Sequence, residues 1–238
     1  MIDIHSHILY GIDDGARTID ESLNILKKAY SSGVTDIVLT PHYIINSKYN
    51  CNNQDKLKLL NNIKKKMNEE NIDINLYLGN EVYIDTGISD LIQEDISLIN
   101  GRRYMLIELP MNRKSTIIDD VLYELSKNNI IPVIAHPERY TAYYKDYEFF
   151  YDLIEKGCLL QGNIGSLYGI YGIRAKRMIK GLLKRRMIAL MGSDIHHESS
   201  DIYSKNISND LLKLLKDKNY VDDILVNNAR YVISSSEE

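Results

Sequence analysis

Six histidines, His5, His7, His42, His136, His196 and His197, carry much of the chemistry this chain can offer, and all but the last stand at or just past the end of a short apolar run. In His5-Ser6-His7 two imidazoles two residues apart on an extended segment point to one side and can reach one metal ion. Asp194-Ile195-His196 repeats that spacing with a carboxylate in place of one imidazole. Either triplet alone is more often a pair of hydrogen-bonded loop residues. Two of them, on the first and last expected strands, become neighbours only if the sheet closes on itself. Thr40-Pro41-His42 and Ala135-His136-Pro137 each place an imidazole directly after an apolar strand, and Leu106-Ile107-Glu108 does so with a carboxylate. Glu81 follows Leu78-Gly79-Asn80, and Asp14 lies in the polar loop from Gly11 to Gly15. Taken singly, Glu81 and Glu108 serve equally well as caps or ion-pair partners at strand ends. Taken together, these N and O donors without a thiolate suit Mn, Fe or Zn at a multinuclear hydrolytic site, and suit Mg less because of its weak affinity for imidazole.

The elements that must position these groups follow from periodicity. Apolar runs of strand length at 2–4, 36–40, 75–78, 104–108, 131–135, 159–161 and 188–190 alternate with helical patterns near 19–31, 55–70, 117–128, 146–156 and 174–185. Gly33 and Gly157 stand where helix C-caps end, just before the next strand. The alternation predicts an α/β fold with a parallel sheet, either open and doubly wound or closed into a barrel. No Gly-x-Gly-x-x-Gly follows the first strand, and the polar residues collect just past the strand ends, where barrels carry their chemistry. A barrel is therefore favoured. With no linker-like segment or repeat, residues 1–238 read as a single domain.

With 29 Lys and Arg against 33 Asp and Glu, the chain has no overall positive field to gather nucleic acid or an anionic membrane. No stretch approaches the roughly 18 apolar residues of a membrane span, so no membrane insertion and a cytoplasmic location are expected. Cys51 and Cys158 are too few for a disulfide framework and read as buried small hydrophobes. A cysteine-dependent tyrosine phosphatase needs an Arg six residues after its nucleophile; here those positions are Leu57 and Ile164.

The opening segment from Met1 through His5-Ser6-His7 and Gly11-Ile12-Asp13-Asp14-Gly15 to Ala16 resembles the start of the manganese-dependent tyrosine phosphatases of the polymerase-and-histidinol-phosphatase (PHP) superfamily. Thr40-Pro41-His42, Gly79-Asn80-Glu81, Ile107-Glu108-Leu109-Pro110, His136-Pro137-Glu138-Arg139-Tyr140 and Gly192-Ser193-Asp194-Ile195-His196 match the later motifs in order, over residues 1 to about 200. The resemblance implies a distorted seven-stranded (β/α) barrel of the PHP type with a cluster of up to three divalent ions, Mn foremost and Fe or Zn as alternatives. It assigns His5, His7, Glu81 and Asp194 to one ion, Glu81, Glu108 and His136 to a second, and Asp14, His42 and His196 to a third. Ser6, where related sequences often have Cys, is not expected to be a ligand. Asp14, where histidinol phosphatases often have His, leans toward the tyrosine-phosphatase branch. The implied partner is a phosphotyrosine protein, the Tyr-rich tail of a bacterial tyrosine kinase that controls capsular or exopolysaccharide synthesis. Two other readings keep the same residues: a phosphatase of a small phosphomonoester such as histidinol phosphate, and a metal-stabilised binding module without turnover.

Several further features bear on that reading. Arg139, three residues after His136, could hold a phosphate bidentately as a catalytic residue; its alternative is an ordinary rim salt bridge. Tyr140, Tyr143, Tyr144, Tyr147 and Tyr151 have the spacing of a half-buried helix face, with an aromatic wall beside a substrate ring as the lesser reading. Gly162 to Ser166 should let the chain turn closely at the barrel rim. The basic run Arg174, Lys176, Arg177, Lys180, Lys184, Arg185 and Arg186 reads as a solvated outer face that could also attract an acidic protein tail. His197 should face away from the site. The end of the chain from about residue 200 should be helical and polar, and Ser234 to Glu238 should fray.

Overall fold

The computed structural model describes residues 1–93 and 98–234. Its strands are β1 (Ile2–Ser6), β2 (Asp36–Leu39), β3 (His42–Tyr43), β4 (Asn75–Leu78), β5 (Glu81–Tyr83), β6 (Tyr104–Glu108), β7 (Ile131–Ala135), β8 (Leu159–Asn163) and β9 (Leu190–Gly192). The helices are α1 (Ile19–Ser31), α2 (Asn53–Glu69), α3 (Ile88–Gln93), α4 (Ile118–Lys127), α5 (Tyr147–Glu155), α6 (Ile164–Tyr168), α7 (Gly172–Lys184), α8 (Ile207–Leu215), α9 (Lys218–Asp222) and α10 (Asn228–Ser234). Thr18, Asn52, Asp146 and Asn206 start helices by accepting a backbone N–H with the side chain, which satisfies donors that the first turn leaves free. Gly33 and Gly157 follow α1 and α5 at positive φ, as their positions in the sequence predict.

All named strands pair in parallel, in the orders β1-β2-β4 and β3-β5-β6-β7-β8-β9. Two joints relate these sheets. Chain continuity carries β2 into β3 across Thr40-Pro41 and β4 into β5 across Gly79-Asn80. At the other side the Asp194 N–H donates to His5 O at 2.8 Å and the His7 N–H to Ile195 O at 2.9 Å. The result is a curled parallel sheet in which the first and last strands meet. The expected strands at 36–40 and 75–78 are present as β2 and β4, and each is followed by a short unforeseen strand, β3 or β5, set off because Pro41 cannot donate to a ladder and the chain bends at Gly79-Asn80. The last expected strand, 188–190, lies instead at Leu190–Gly192.

Side-chain alternation sorts the core into two clusters. Met105, Ile107, Ile134 and Leu160 face the outer helices, whereas Ile2, Ile4, Val38, Leu106, Val133 and Leu190 meet Ala229, Val232 and Ile233 of α10. The C-terminal helix therefore covers apolar ends of the strands. Each fully buried Leu, Ile or Val contributes about 1.5–3 kcal/mol of burial.

Three expectations change here. The tyrosine series is not one helix: Pro137–Arg139 and Thr141–Tyr143 are separate 3-10 turns, and α5 begins only at Tyr147. Tyr140 and Tyr143 are buried rather than half-buried, whereas Tyr151 is exposed, so neither of the first two can wall a substrate ring. Cys51 is partly exposed, and only Cys158 is buried. Of the expected fraying segment, Ser234 ends α10 and 235–238 lie outside the described residues.

Burial pushes the Cys158 thiol up to about 12, so almost no thiolate forms near pH 8. Brief iodoacetamide treatment of the native protein is expected to label Cys51 and spare Cys158 until denaturant is added, as read by peptide mass spectrometry. Equal labelling of both in the native state would contradict the packing described.

Candidate metal centre

Four donors sit at nearly equal distances where β1 and β9 end and β5 begins. His5 Nε2 is 3.2 Å from His7 Nε2, 3.3 Å from Glu81 Oε2 and 3.5 Å from Asp194 Oδ1. His7 Nε2 is 3.2 Å from Glu81 Oε2 and 3.4 Å from Asp194 Oδ1. A tetrahedron of ligands about 2.0–2.1 Å from one ion has edges of roughly 3.4 Å, so this spacing fits a single divalent ion. A second group, His7, Asp14, His42 and His196, and a third, His42, Glu81 and Glu108, share members with the first. His136 Nε2 completes the cluster at 2.7 Å from Glu81 Oε1 and 3.9 Å from Glu108 Oε1. The structure thus gathers His5, His7, Asp14, His42, Glu81, Glu108, His136, Asp194 and His196 into one continuous set.

The fit to metal rests on Glu81. Its Oε1 accepts from His136, while its buried Oε2 lies 3.1 Å from His42 Nδ1 and close to both imidazoles of β1, yet forms no hydrogen bond. His42 Nδ1 and His136 Nδ1 are likewise buried without a hydrogen-bond partner. Orphaned buried polar atoms are costly, and a shared cation would satisfy the carboxylate oxygen and the imidazole nitrogen facing it.

Neighbours aim these donors. His7 Nδ1 is 2.7 Å from Asp13 Oδ2, which also accepts the His42 N–H, and the Gly15 N–H donates to Asp13 Oδ1. His5 Nδ1 is 2.8 Å from Gln161 Oε1. Such outer hydrogen bonds fix which ring nitrogen faces inward. Asp194 is divided in the same way: Oδ2 accepts from Arg139 Nη1 at 2.5 Å, Asn163 Nδ2 at 2.7 Å and Tyr171 Oη at 3.2 Å, leaving Oδ1 to face His5 and His7. Arg139 also lies over the Tyr171 ring, 4.3 Å from its centroid. Sequence reading missed Asp13, Gln161, Asn163 and Tyr171 as supporting residues; only Asp13, beside Asp14 in a Gly-flanked loop, had a visible cue. Ser6 donates to Val38 O and His197 is exposed, so both stay out of the cluster as expected.

The backbone adds direction. His136 and Asp194 both occupy the left-handed region, at φ of 31° and 53°. That conformation costs a non-glycine residue on the order of 1–3 kcal/mol and turns both side chains at strand ends where an extended residue would not aim them. In β1 the pairing advances three residues, Asp3 to Ser6, against two on β2, a bulge beside His5 that shifts the alternation at the donor.

Electrostatics follow from crowding. Burial opposes charge throughout, yet the charge of His5, the hydrogen bond from His136 and the nearby imidazoles of His5 and His7 hold Glu81 well below the usual carboxylate range. Glu108 goes the other way: burial, reinforced by the charge of Glu81, pushes it up to about 8. Burial and then His7 bring His196 down to about 4, whereas His7, despite burial, is held well above the usual imidazole value by Asp13.

Close approach constrains Gly192. A Cβ there would lie 2.6 Å from His5 Cβ and 2.9 Å from Gln161 Nε2. Gly192→Ala is expected to lower stability by about 1–3 kcal/mol in denaturant titration and to weaken metal retention, because both His5 and its orienting Gln161 must move. Unchanged unfolding and metal content would show that the crowding is relieved elsewhere.

An α/β fold whose parallel strands deliver a buried imidazole and carboxylate cluster to their C-terminal ends defines the class of protein: one built to hold metal ions at a strand-end site. Residues 1–234 match the family described as capsular polysaccharide synthesis, CpsB/CapC, and the chain belongs to that family. It is 37% identical to CapC of Staphylococcus aureus, over 82% of this chain and 77% of that one. It is 32% identical to the tyrosine-protein phosphatase YwqE of Bacillus subtilis strain 168, over 83% and 78%. Among solved structures it is similar to a chain from the work on YwqE of Bacillus subtilis and CpsB of Streptococcus pneumoniae, described as unique metal-dependent tyrosine phosphatases. That similarity has a TM-score of 0.88 at 28% identity, covering 100% and 96% of the two chains. The fold extends to the histidinol phosphate phosphatase of Lactococcus lactis, with a TM-score of 0.58 at 14% identity and coverage of 89% and 92%.

Proposed function

We propose that this chain is a metal-dependent protein-tyrosine phosphatase acting on a phosphotyrosine protein, the Tyr-rich tail of a bacterial tyrosine kinase in capsular or exopolysaccharide synthesis. The observation that carries the reading is the unpartnered Glu81 oxygen among three imidazoles, at the centre of a donor set without thiolate. The metal-dependent tyrosine phosphatases described for YwqE and CpsB supply the substrate class. Residues 1–238 would work as one domain, β2 with β3 and β4 with β5 each counting once in a distorted seven-stranded PHP-type barrel. Two free thiols suit the cytoplasm. Among the described residues no helix is long and apolar enough to cross a membrane.

Up to three ions, Mn foremost and Fe or Zn as alternatives, would be held by His5, His7, Glu81 and Asp194, by Glu81, Glu108 and His136, and by Asp14, His42 and His196. When bound, such ions offset the charge of a phosphate dianion and lower the pKa of water. Asp13 and Gln161 keep the β1 imidazoles facing inward. Arg139 steadies Asp194 through Oδ2 and borders the depression beside His196, where a phosphoryl group would meet its guanidinium. No side chain is assigned as a leaving-group acid; a phenolate, with a pKa of about 10, is a fairly good leaving group.

The test is phosphate release from a phosphotyrosine peptide and from histidinol phosphate, using chelator-stripped protein with Mn, Zn, Fe or Mg added back and His136→Ala as control. Metal-dependent release from the peptide, lost in the variant, supports the reading. Preference for histidinol phosphate moves the substrate, and no turnover with any metal leaves a binding module. Arg139→Ala is expected to lower kcat by about 10²-fold with metal content intact, the usual loss for one charge-stabilising donor; unchanged turnover would make the residue a rim salt bridge alone.

A further inference from the structure

Arg139 and Tyr171 separate two depressions. One borders Asp194 and His196. The other, about 540 Å³, lies between the 3-10 turns after β7 and the start of α7, and is lined by Tyr144, Tyr171, Ile173 and Arg174. Its size falls within the roughly 300–1,000 Å³ of sites that take up small molecules or single side chains.

The charge of this second cleft is one-sided. Arg174 stands 5.9 Å from the centroid of Tyr144, and Lys145 Nζ is 5.7 Å from the same ring. Among the described residues neither makes an ion pair, whereas Arg139 at the other edge of the cleft is paired with Asp194. The acids nearby are already engaged. Glu138 is buried, its Oε1 accepting from Ser166 and the Asn163 N–H and its Oε2 enclosed away from the cleft surface without a hydrogen bond, and Asp146 caps α5 and pairs with Lys114. Ile173 is 58% exposed at the lip of the cleft, an apolar surface that the fold leaves uncovered. The whole chain carries a net charge of −4, so attraction for anions here comes from local placement rather than from the overall field.

We propose that this cleft seats the peptide flanking the phosphotyrosine, and that Arg174, assisted by Lys145, selects acidic side chains there while Ile173 supports the peptide's aliphatic contacts. The inference rests on the phosphotyrosine reading above. It adds the chemistry of the neighbouring residues: an acidic peptide segment entering past Arg139 on the side away from His196. The two cations lie beside Tyr144 at a cleft that Arg139 joins to the metal centre, so a peptide whose phosphate reaches the centre passes within reach of both.

Two phosphotyrosine peptides of equal length, one with Glu and Asp and one with Lys beside the phosphotyrosine, serve as probes with Mn-loaded full-length protein at low and high salt. The native protein is expected to favour the acidic peptide in kcat/KM by about tenfold at low salt, mainly through KM, with the preference shrinking as salt rises. Arg174→Glu is expected to reverse the order, and Arg174→Gln to level it. The readout is the ratio of the two peptides on one preparation, so partial loss of folded or metal-loaded protein cancels. Equal kcat/KM for the two peptides in the native protein, or a ratio unmoved by Arg174→Glu, overturns the subsite and leaves the phosphatase intact. Absence of turnover on both peptides and on p-nitrophenyl phosphate overturns the phosphatase reading and the subsite with it.

Discussion

Glu81→Gln is expected to cut phosphate release by about 10³-fold or more, the largest loss from any single substitution of this chain. The carboxylate stands where the donor groups meet: one oxygen is held by His136 and the other faces His5, His7 and His42. An amide keeps the volume but removes the negative charge and turns one oxygen into a donor, which would point at imidazole nitrogens that a cation should occupy. Losing several kcal/mol of charge stabilisation corresponds to three or more decades in rate. The measurement is turnover of p-nitrophenyl phosphate alongside metal content by mass spectrometry. A variant that keeps its metal and stays within tenfold of the native rate would show that Glu81 is structural and that the cluster is not organised around it.

Metal affinity is expected to rise steeply with pH, by about 10- to 100-fold per unit between pH 6.5 and 7.5. In metal-free protein burial opposes the charging of His5 and His7, but the carboxylates of Glu81 and Asp194 around His5, and Asp13 beside His7, hold both above 6.5. Glu108 is pushed up to about 8. These groups carry protons near neutrality that a cation must displace, and each displaced proton adds about tenfold per pH unit. Stability without metal should show the matching pattern. The raised His5 and His7 contribute stability that is fully present below 6.5 and is lost as pH rises through their folded values. His42, His136 and His196, lowered first by burial, make folding less favourable as pH falls from 6.5 toward their folded values, about 4 for His196. Glu108, raised to about 8, contributes stability that is lost in the same direction as that of His5 and His7. Metal-free protein should therefore lose stability as pH rises from 6.5 to 8, while metal-loaded protein keeps it. Indicator competition from pH 6 to 8.5, with thermal unfolding of both forms, checks both halves; a pH-independent affinity would mean that no protons are displaced.

Much of the donor set was legible because chemistry and periodicity coincide at it. His5 and His7 share a face by strand spacing, Asp194 and His196 repeat the pattern, and both doublets end apolar runs. The breaks in the sheet were not legible. His42–Tyr43 and Glu81–Tyr83 are too short to carry an alternation of their own, and their pairing is set by β6 and by each other. Tyr140 and Tyr143 were misread because consecutive 3-10 turns bring tyrosines round at nearly helical spacing. The supporting hydrogen bonds of Gln161, Asn163 and Tyr171 depend on which strands become neighbours, and no local pattern encodes that. Nor did anything in the polar C-terminal stretch announce that Val232 and Ile233 would cover the strand ends.

The seam between β1 and β9 also fixes when the site can exist. His5 and His7 are among the first residues of the chain, and Asp194 and His196 come about 190 residues later, with backbone hydrogen bonds stitching the two together only once both are present. A growing chain exposes the β1 imidazoles long before their partner carboxylate has been synthesised, and contacts of such sequence separation form late because their loop must close first. The group of His5, His7, Glu81 and Asp194 is thus completed last, and a chain truncated before residue 194 keeps His42, Glu81 and Glu108 together in sequence but lacks the carboxylate that closes the first group.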